Sequence, residues 1–205
     1  IATQYILSAL TLPRLEGESA DDFAKRVVQD ARTESGRPAD FGTTVHALAD
    51  AYLQGTLPEI LSAVELSFLQ GFMDWCHEHK VEPIETEKCF AADDYGGRMD
   101  FYGYVDGVKL VADWKTQKTT PGKPVVFYPD WGPQIAAYRH GLPKEDAEDC
   151  LGLSLVISNT EPGRVQAFTW LDTGLDGWCW VTFQAAKTLY YSPLGPGASL
   201  RRPGT

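Results

Sequence analysis

The chain has 205 residues, of which 43% are hydrophobic, 12% aromatic and 22% charged. That is enough apolar mass for one domain with a buried core and too aromatic for a disordered chain. No apolar run approaches the roughly 20 residues of a membrane span, and a formal net charge of −10 excludes a generic nucleic-acid coat. An enzyme whose acidic residues hold metal ions stays open, provided its basic residues are concentrated.

The chain opens Ile1-Ala-Thr-Gln, with no Met and no basic segment ahead of its apolar residues, so the start reads as trimmed and no signal peptide is expected. Ser19 is a helix N-cap with Asp21 and Asp22 in the first turn, and Phe23, Val27, Val28 and Ala31 follow at helical spacing. Thr33 to Pro38 is expected to break that helix. A second helix runs from about Thr43 to Leu53 and is closed by Gly55. Pro58 is expected to open a third, ending near His79, with Ile60, Leu61, Val64, Leu66, Phe68, Leu69, Phe72 and Trp75 as its apolar face. After Pro83 the pattern changes to alternation. Ile84–Phe90, Met99–Val105 and Val108–Trp114 read as an antiparallel meander, with a turn at Asp93 to Gly97 and a two-residue hairpin at Asp106-Gly107.

Residues 117–130 hold Pro121, Gly122, Pro124 and Pro129 and read as a loop. A short helix follows from Trp131 to His140. Two strands, Leu151–Ile157 and Arg164–Trp170, flank a turn at Asn159 to Gly163, and a last helix spans Gly177–Tyr191 ahead of a frayed Pro/Gly-rich tail from Pro193. The expected fold is one mixed α/β (α+β) domain over residues 1–205. Residues 1–80 are helical, 81–192 form a sheet core with flanking helices, and 193–205 are tail. The four cysteines, Cys76, Cys89, Cys150 and Cys179, contain no C-x-x-C pair. They read as reduced, mostly buried thiols of a cytoplasmic protein.

The meander carries the chemistry. The turn centre between Asp106 and Gly107 sets Asp100 opposite Asp113, and Lys115 shares the face of Asp113 because it is two residues on. Like charges directly opposite each other destabilise a sheet, so a hard divalent cation between them, Mg²⁺ or Mn²⁺, is the expected compensation. Glu85 and Glu87 can share a face of the first strand, and Glu87 is the better further ligand. From Lys109 to Lys144 the basic residues Lys109, Lys115, Lys118, Lys123, Arg139 and Lys144 outnumber Asp113 and Asp130. This sets a basic surface beside an acidic site.

Gly97-Arg-Met-Asp100 followed by Asp113-Trp-Lys115 resembles the D…(D/E)-x-K signature of the PD-(D/E)XK nuclease superfamily. Gln134-Ile-Ala-Ala-Tyr138 looks like the Q-x-x-x-Y motif of its RecB-like branch, and Gly42-Thr-Thr-Val-His46 like that branch's G-x-x-x-H element. The resemblance covers residues 40–140 and is nearest to exonucleases of the phage and mitochondrial-genome-maintenance type. It implies a restriction-endonuclease-like core, a central mixed sheet with an antiparallel meander flanked by helices. It also implies a metal held by Asp100, Asp113, the Trp114 carbonyl, Glu87 and His46, with Asp100, Asp113 and Lys115 catalytic. Gln134 and Tyr138 would position the strand, Lys118 and Lys123 would contact phosphates, and Tyr128 and Trp131 would stack on unpaired bases. The CRISPR-adaptation relatives hold an iron–sulfur cluster through grouped cysteines; Cys150 and Cys179 are too isolated for one, so none is expected.

The expected function is therefore a divalent-metal-dependent DNA exonuclease acting on ends or single strands in recombination, repair or phage DNA metabolism. Its partners would be DNA and a recombination or repair protein, with no membrane, in a bacterial or phage-infected cell. The alternatives are a structure-specific endonuclease of the same superfamily and a non-catalytic nuclease-like binding module.

Overall fold

The computed structural model describes residues 15, 17–92, 94–170 and 175–192, with backbone alone for 20, 21, 24, 27–40 and 176. Asp93 and the tail from Pro193 lie outside the described residues. Chain packing divides the protein into two units, Ile1–Ala47 and Leu48–Thr205.

The first unit holds most of helix α1 (Ala20–Leu53). Its start is capped as expected, with the Ser19 Oγ accepting the Asp22 N–H at 3.1 Å, and Arg26 Nε pairs with Glu18 at 2.8 Å. The expected break at Thr33–Pro38 is absent, and one helix of 34 residues runs through it. Pro38 costs the helix one donor and crowds the preceding turn, but one missing hydrogen bond interrupts a long ladder without ending it. The end comes at a Schellman motif. Gly55, at φ 68°, donates to the Tyr52 carbonyl, and Thr56 N–H reaches the Ala51 carbonyl at 2.8 Å.

In the second unit, helix α2 (Ala63–Glu78) starts later than the Pro58 signal suggests. A capping box decides the position: Ser62 Oγ accepts the Glu65 N–H at 3.2 Å, and the Glu65 carboxylate accepts the Ser62 N–H at 2.8 Å. Ile60, expected on the apolar face, therefore lies ahead of the helix and is 89% exposed.

The sheet has the order β1-β2-β3-β4-β5. Strands β1 (Glu82–Ala91), β2 (Gly96–Val105) and β3 (Val108–Gln117) form the antiparallel meander. Asp106 and Gly107, at φ 51° and 77°, give the positive-φ pair that a tight hairpin demands. Strand β4 (Leu151–Ser158) pairs parallel with β3, and β5 (Val165–Thr169) closes the sheet antiparallel to β4. Between β3 and β4 the crossover carries α3 (Trp131–His140) and the single turn α4 (Lys144–Ala147), which has no sequence counterpart above. Helix α5 (Asp176–Tyr191) follows β5 and packs on α3.

Side-chain alternation sends β3 to both layers. On one face Trp114, packed against Phe101, meets Phe72 and Trp75 of α2, with the Phe72 and Trp114 rings 5.2 Å apart. On the other, Tyr102 and Val111 join Ile135, Ala136 and Tyr138 of α3 and Cys179 of α5 in a buried cluster. Cys76, Cys150 and Cys179 are buried and Cys89 is exposed. No described helix is long and apolar enough to cross a membrane.

Candidate active site

The hairpin register is the expected one: Phe101 stands opposite Ala112, Tyr102 opposite Val111, and so on to the turn. The next positions outward are Asp100 and Asp113. They are 8% and 4% exposed, which is costly for carboxylates unless each has a polar partner. The Asp100 carboxylate accepts the Trp114 N–H at 2.6 Å, so a side chain takes over from the ladder where the two strands leave their regular pairing. Asp113 is surrounded. Its Oδ1 accepts from Gln134 Nε2 and from Tyr138 OH, both at 3.2 Å. Its Oδ2 is ion-paired with Lys115 Nζ at 2.5 Å. Burial first, and the charge of Asp100 second, push the Asp113 carboxyl above its ordinary range, against the opposing pull of Lys115.

Helix α3 supplies the other half. Gln134 and Tyr138 are one turn apart, and Gln134 Nε2 also donates to Tyr138 OH at 2.6 Å. The Gln134 carbonyl oxygen accepts from Lys115 Nζ at 2.8 Å. One amide therefore touches the acid, the base and the phenol together. Burial and the Asp113 charge raise the Tyr138 phenol, which keeps it a neutral donor. The Lys115 ammonium also lies 5.6 Å from the Trp131 ring centroid, within cation–π reach.

The remaining expected residues have surroundings of their own. Glu87, at φ 50°, is paired with Arg98 Nε at 2.7 Å, and Glu85 with Lys88. Among the described residues no three His, Cys, Asp or Glu side chains converge as a metal-binding group. His46 is half-buried on α1, in the first unit. Lys118 and Lys123 are exposed in the loop after β3. Tyr128 is half exposed and meets Trp131 edge to face at 5.2 Å.

That loop is braced by residues the sequence patterns did not single out. The Thr119 hydroxyl bonds the buried Ser158 hydroxyl at 2.6 Å and also reaches Glu161. Arg164 bonds Glu161 and the Thr120 and Lys123 carbonyls. The only prior signal was the Asn159 to Gly163 turn, which fixes where Glu161 and Arg164 sit but not what they hold.

No protein-family model matches this chain, and no curated protein sequence matches it. Among solved structures it is similar to a "putative exonuclease" from Eubacterium rectale. The identity is 15% and the TM-score 0.48, over 71% of this chain and 63% of that one. The chain therefore spans less than two thirds of that protein's length.

Proposed function

We propose that this protein is a divalent-metal-dependent DNA exonuclease of the PD-(D/E)XK superfamily, in its RecB-like branch, hydrolysing phosphodiester bonds at ends or in single strands. One observation carries the reading. Asp100 and Asp113 are buried side by side at the end of the β2–β3 ladder, with Lys115 Nζ 2.5 Å from Asp113. The Trp114 N–H accounts for one oxygen of Asp100, but a second carboxylate buried beside it opposes folding through repulsion and desolvation.

The donor set fits a hard cation. It is all oxygen, and two of its members are buried carboxylates set side by side. Asp100, Asp113 and the Trp114 carbonyl would hold Mg²⁺ or Mn²⁺. Such an ion supplies polarisation of a phosphoryl oxygen and a more acidic bound water. Lys115 places its ammonium beside the acidic pair and stabilises charge developing on the phosphate. Gln134 and Tyr138 fix Asp113 and Lys115 relative to each other, so little reorganisation is left for the reaction. The exposed Lys118 and Lys123 offer phosphate contacts on an otherwise acidic protein.

The test is degradation of 5′- and 3′-labelled single-stranded and duplex DNA with Mg²⁺ or Mn²⁺, beside a closed circle. Linear DNA should be degraded and the circle spared, and Asp113→Ala or Lys115→Ala should lower the rate by about 100-fold or more. Near wild-type activity in either folded variant rules out this centre.

A further inference from the structure

Beside Tyr138, lined by α3, α5 and the β1–β2 end of the sheet, lies a cavity of about 560 Å³, inside the range of about 300–1,000 Å³ typical of small-ligand sites. Its walls are aromatic: Phe90 and Tyr95 from the β1–β2 end, and Phe183, Tyr190 and Tyr191 from α5. The rings form a connected series. Phe183 and Tyr95 are 4.9 Å apart, Tyr95 and Phe90 5.8 Å, and Phe90 and Tyr138 6.0 Å. Tyr190 and Tyr191 are 51% and 65% exposed, so large π surface is left uncovered at the mouth. Lys187 belongs to this wall, held in an ion pair with Asp94 at 2.6 Å and 5.5 Å from the Tyr95 centroid, and Asp130 lines the cavity as well. Gln134 and Tyr138 also line the cavity. The two side chains that fix Asp113 and Lys115 therefore form a partition shared by both sites.

We propose that this cavity receives an unpaired nucleobase of the strand whose phosphate lies at Asp113 and Lys115, an inference that rests on the nuclease reading above. A purely apolar ligand would match the rings but would have no use for a wall shared with the acidic centre. A flat heterocycle joined to a phosphate matches both, through stacking and through the side chains that the two sites share. A base held in a duplex has both faces covered and could not enter. The cavity thus makes the substrate a single strand or a frayed end, and the α5 tyrosines specificity-determining residues.

Binding is read by fluorescence anisotropy on the Asp113→Asn background, where cleavage is removed and the acidic pair carries one charge less. The probes are a 12-nucleotide single strand, its duplex, and a series in which one abasic site moves along the strand. The intact strand should bind more tightly than the duplex, and one abasic position should weaken binding about fivefold or more. Adding Tyr191→Ala, or Ala186→Trp to fill the cavity, should weaken the intact strand by a similar factor and flatten the abasic series. Thermal melting checks that both remain folded, and both positions are exposed. A flat series in the parent, unchanged binding in both variants, or no binding to any probe overturns the cavity assignment. The wild-type cleavage assay judges the nuclease reading separately in each case.

Discussion

Asp113 sits among side chains that each act on its charge, which gives its titration a definite sign. Burial and Asp100 raise its pKa above the ordinary 3.8. Stability due to the protonated form is complete below about pH 3.8 and declines as pH climbs through the folded value. In metal-free protein, Asp113→Asn should therefore unfold in urea at an equal or higher midpoint than wild type at pH 7, with the gap closing toward pH 4. A variant markedly weaker at pH 7 would mean that the pair with Lys115 outweighs burial. Tyr138 offers a complementary substitution. Tyr138→Phe keeps the ring against Phe90 but removes the hydroxyl shared by Gln134 and Asp113. It should cost about 1 kcal/mol of stability and lower both substrate affinity and cleavage rate, while calorimetry finds metal affinity nearly unchanged. Loss of metal binding in this variant would show the phenol to be part of the metal site's structure.

Among the elements, α2 is seated by a residue without a side chain. A Cβ on Gly71 would lie 2.3 Å from the Gly163 carbonyl oxygen, a main-chain atom that cannot swing aside. Exchanging Gly for Ala within a helix normally gains about 1 kcal/mol. Here overpacking should win, and Gly71→Ala should destabilise by about 1–3 kcal/mol in chemical denaturation. That contact joins residues far apart in sequence, and no helical periodicity reveals it. The β2–β3 hairpin was legible for the opposite reason. A two-residue turn fixes register by itself, so the alignment of Asp100 with Asp113 followed from counting. The capping box at Ser62 and Glu65 was equally local, and the stronger-looking Pro58 obscured it. Helix α1 shows the limit of breaker residues, because a single proline removes one bond and the rest of the ladder continues on both sides.

For the molecule as a whole, legibility follows sequence separation. Asp100, Asp113 and Lys115 lie on one hairpin, and Gln134 and Tyr138 on one helical turn, so spacing placed each group on a common face. That the two groups meet came from resemblance and was not deducible from periodicity. The brace from Thr119 to Ser158 and Arg164, and the cavity whose Lys187 reaches back 93 residues to Asp94, had no local pattern to announce them. The same separation sets an order in time. A tight hairpin forms in about 1–10 μs, whereas the parallel pairing of β3 with β4 joins Leu110 to Leu151 and must wait for the crossover to close its loop. Mutational φ-values should accordingly be high around Asp106-Gly107 and low in α3, and the reverse ranking would refute this order. During folding the two carboxylates are thus brought together before Gln134 and Tyr138 arrive to fix them. The crossover that pairs β4 with β3 therefore also completes the candidate site, and a chain stalled before that step would carry the acidic pair without the amide and phenol that hold it.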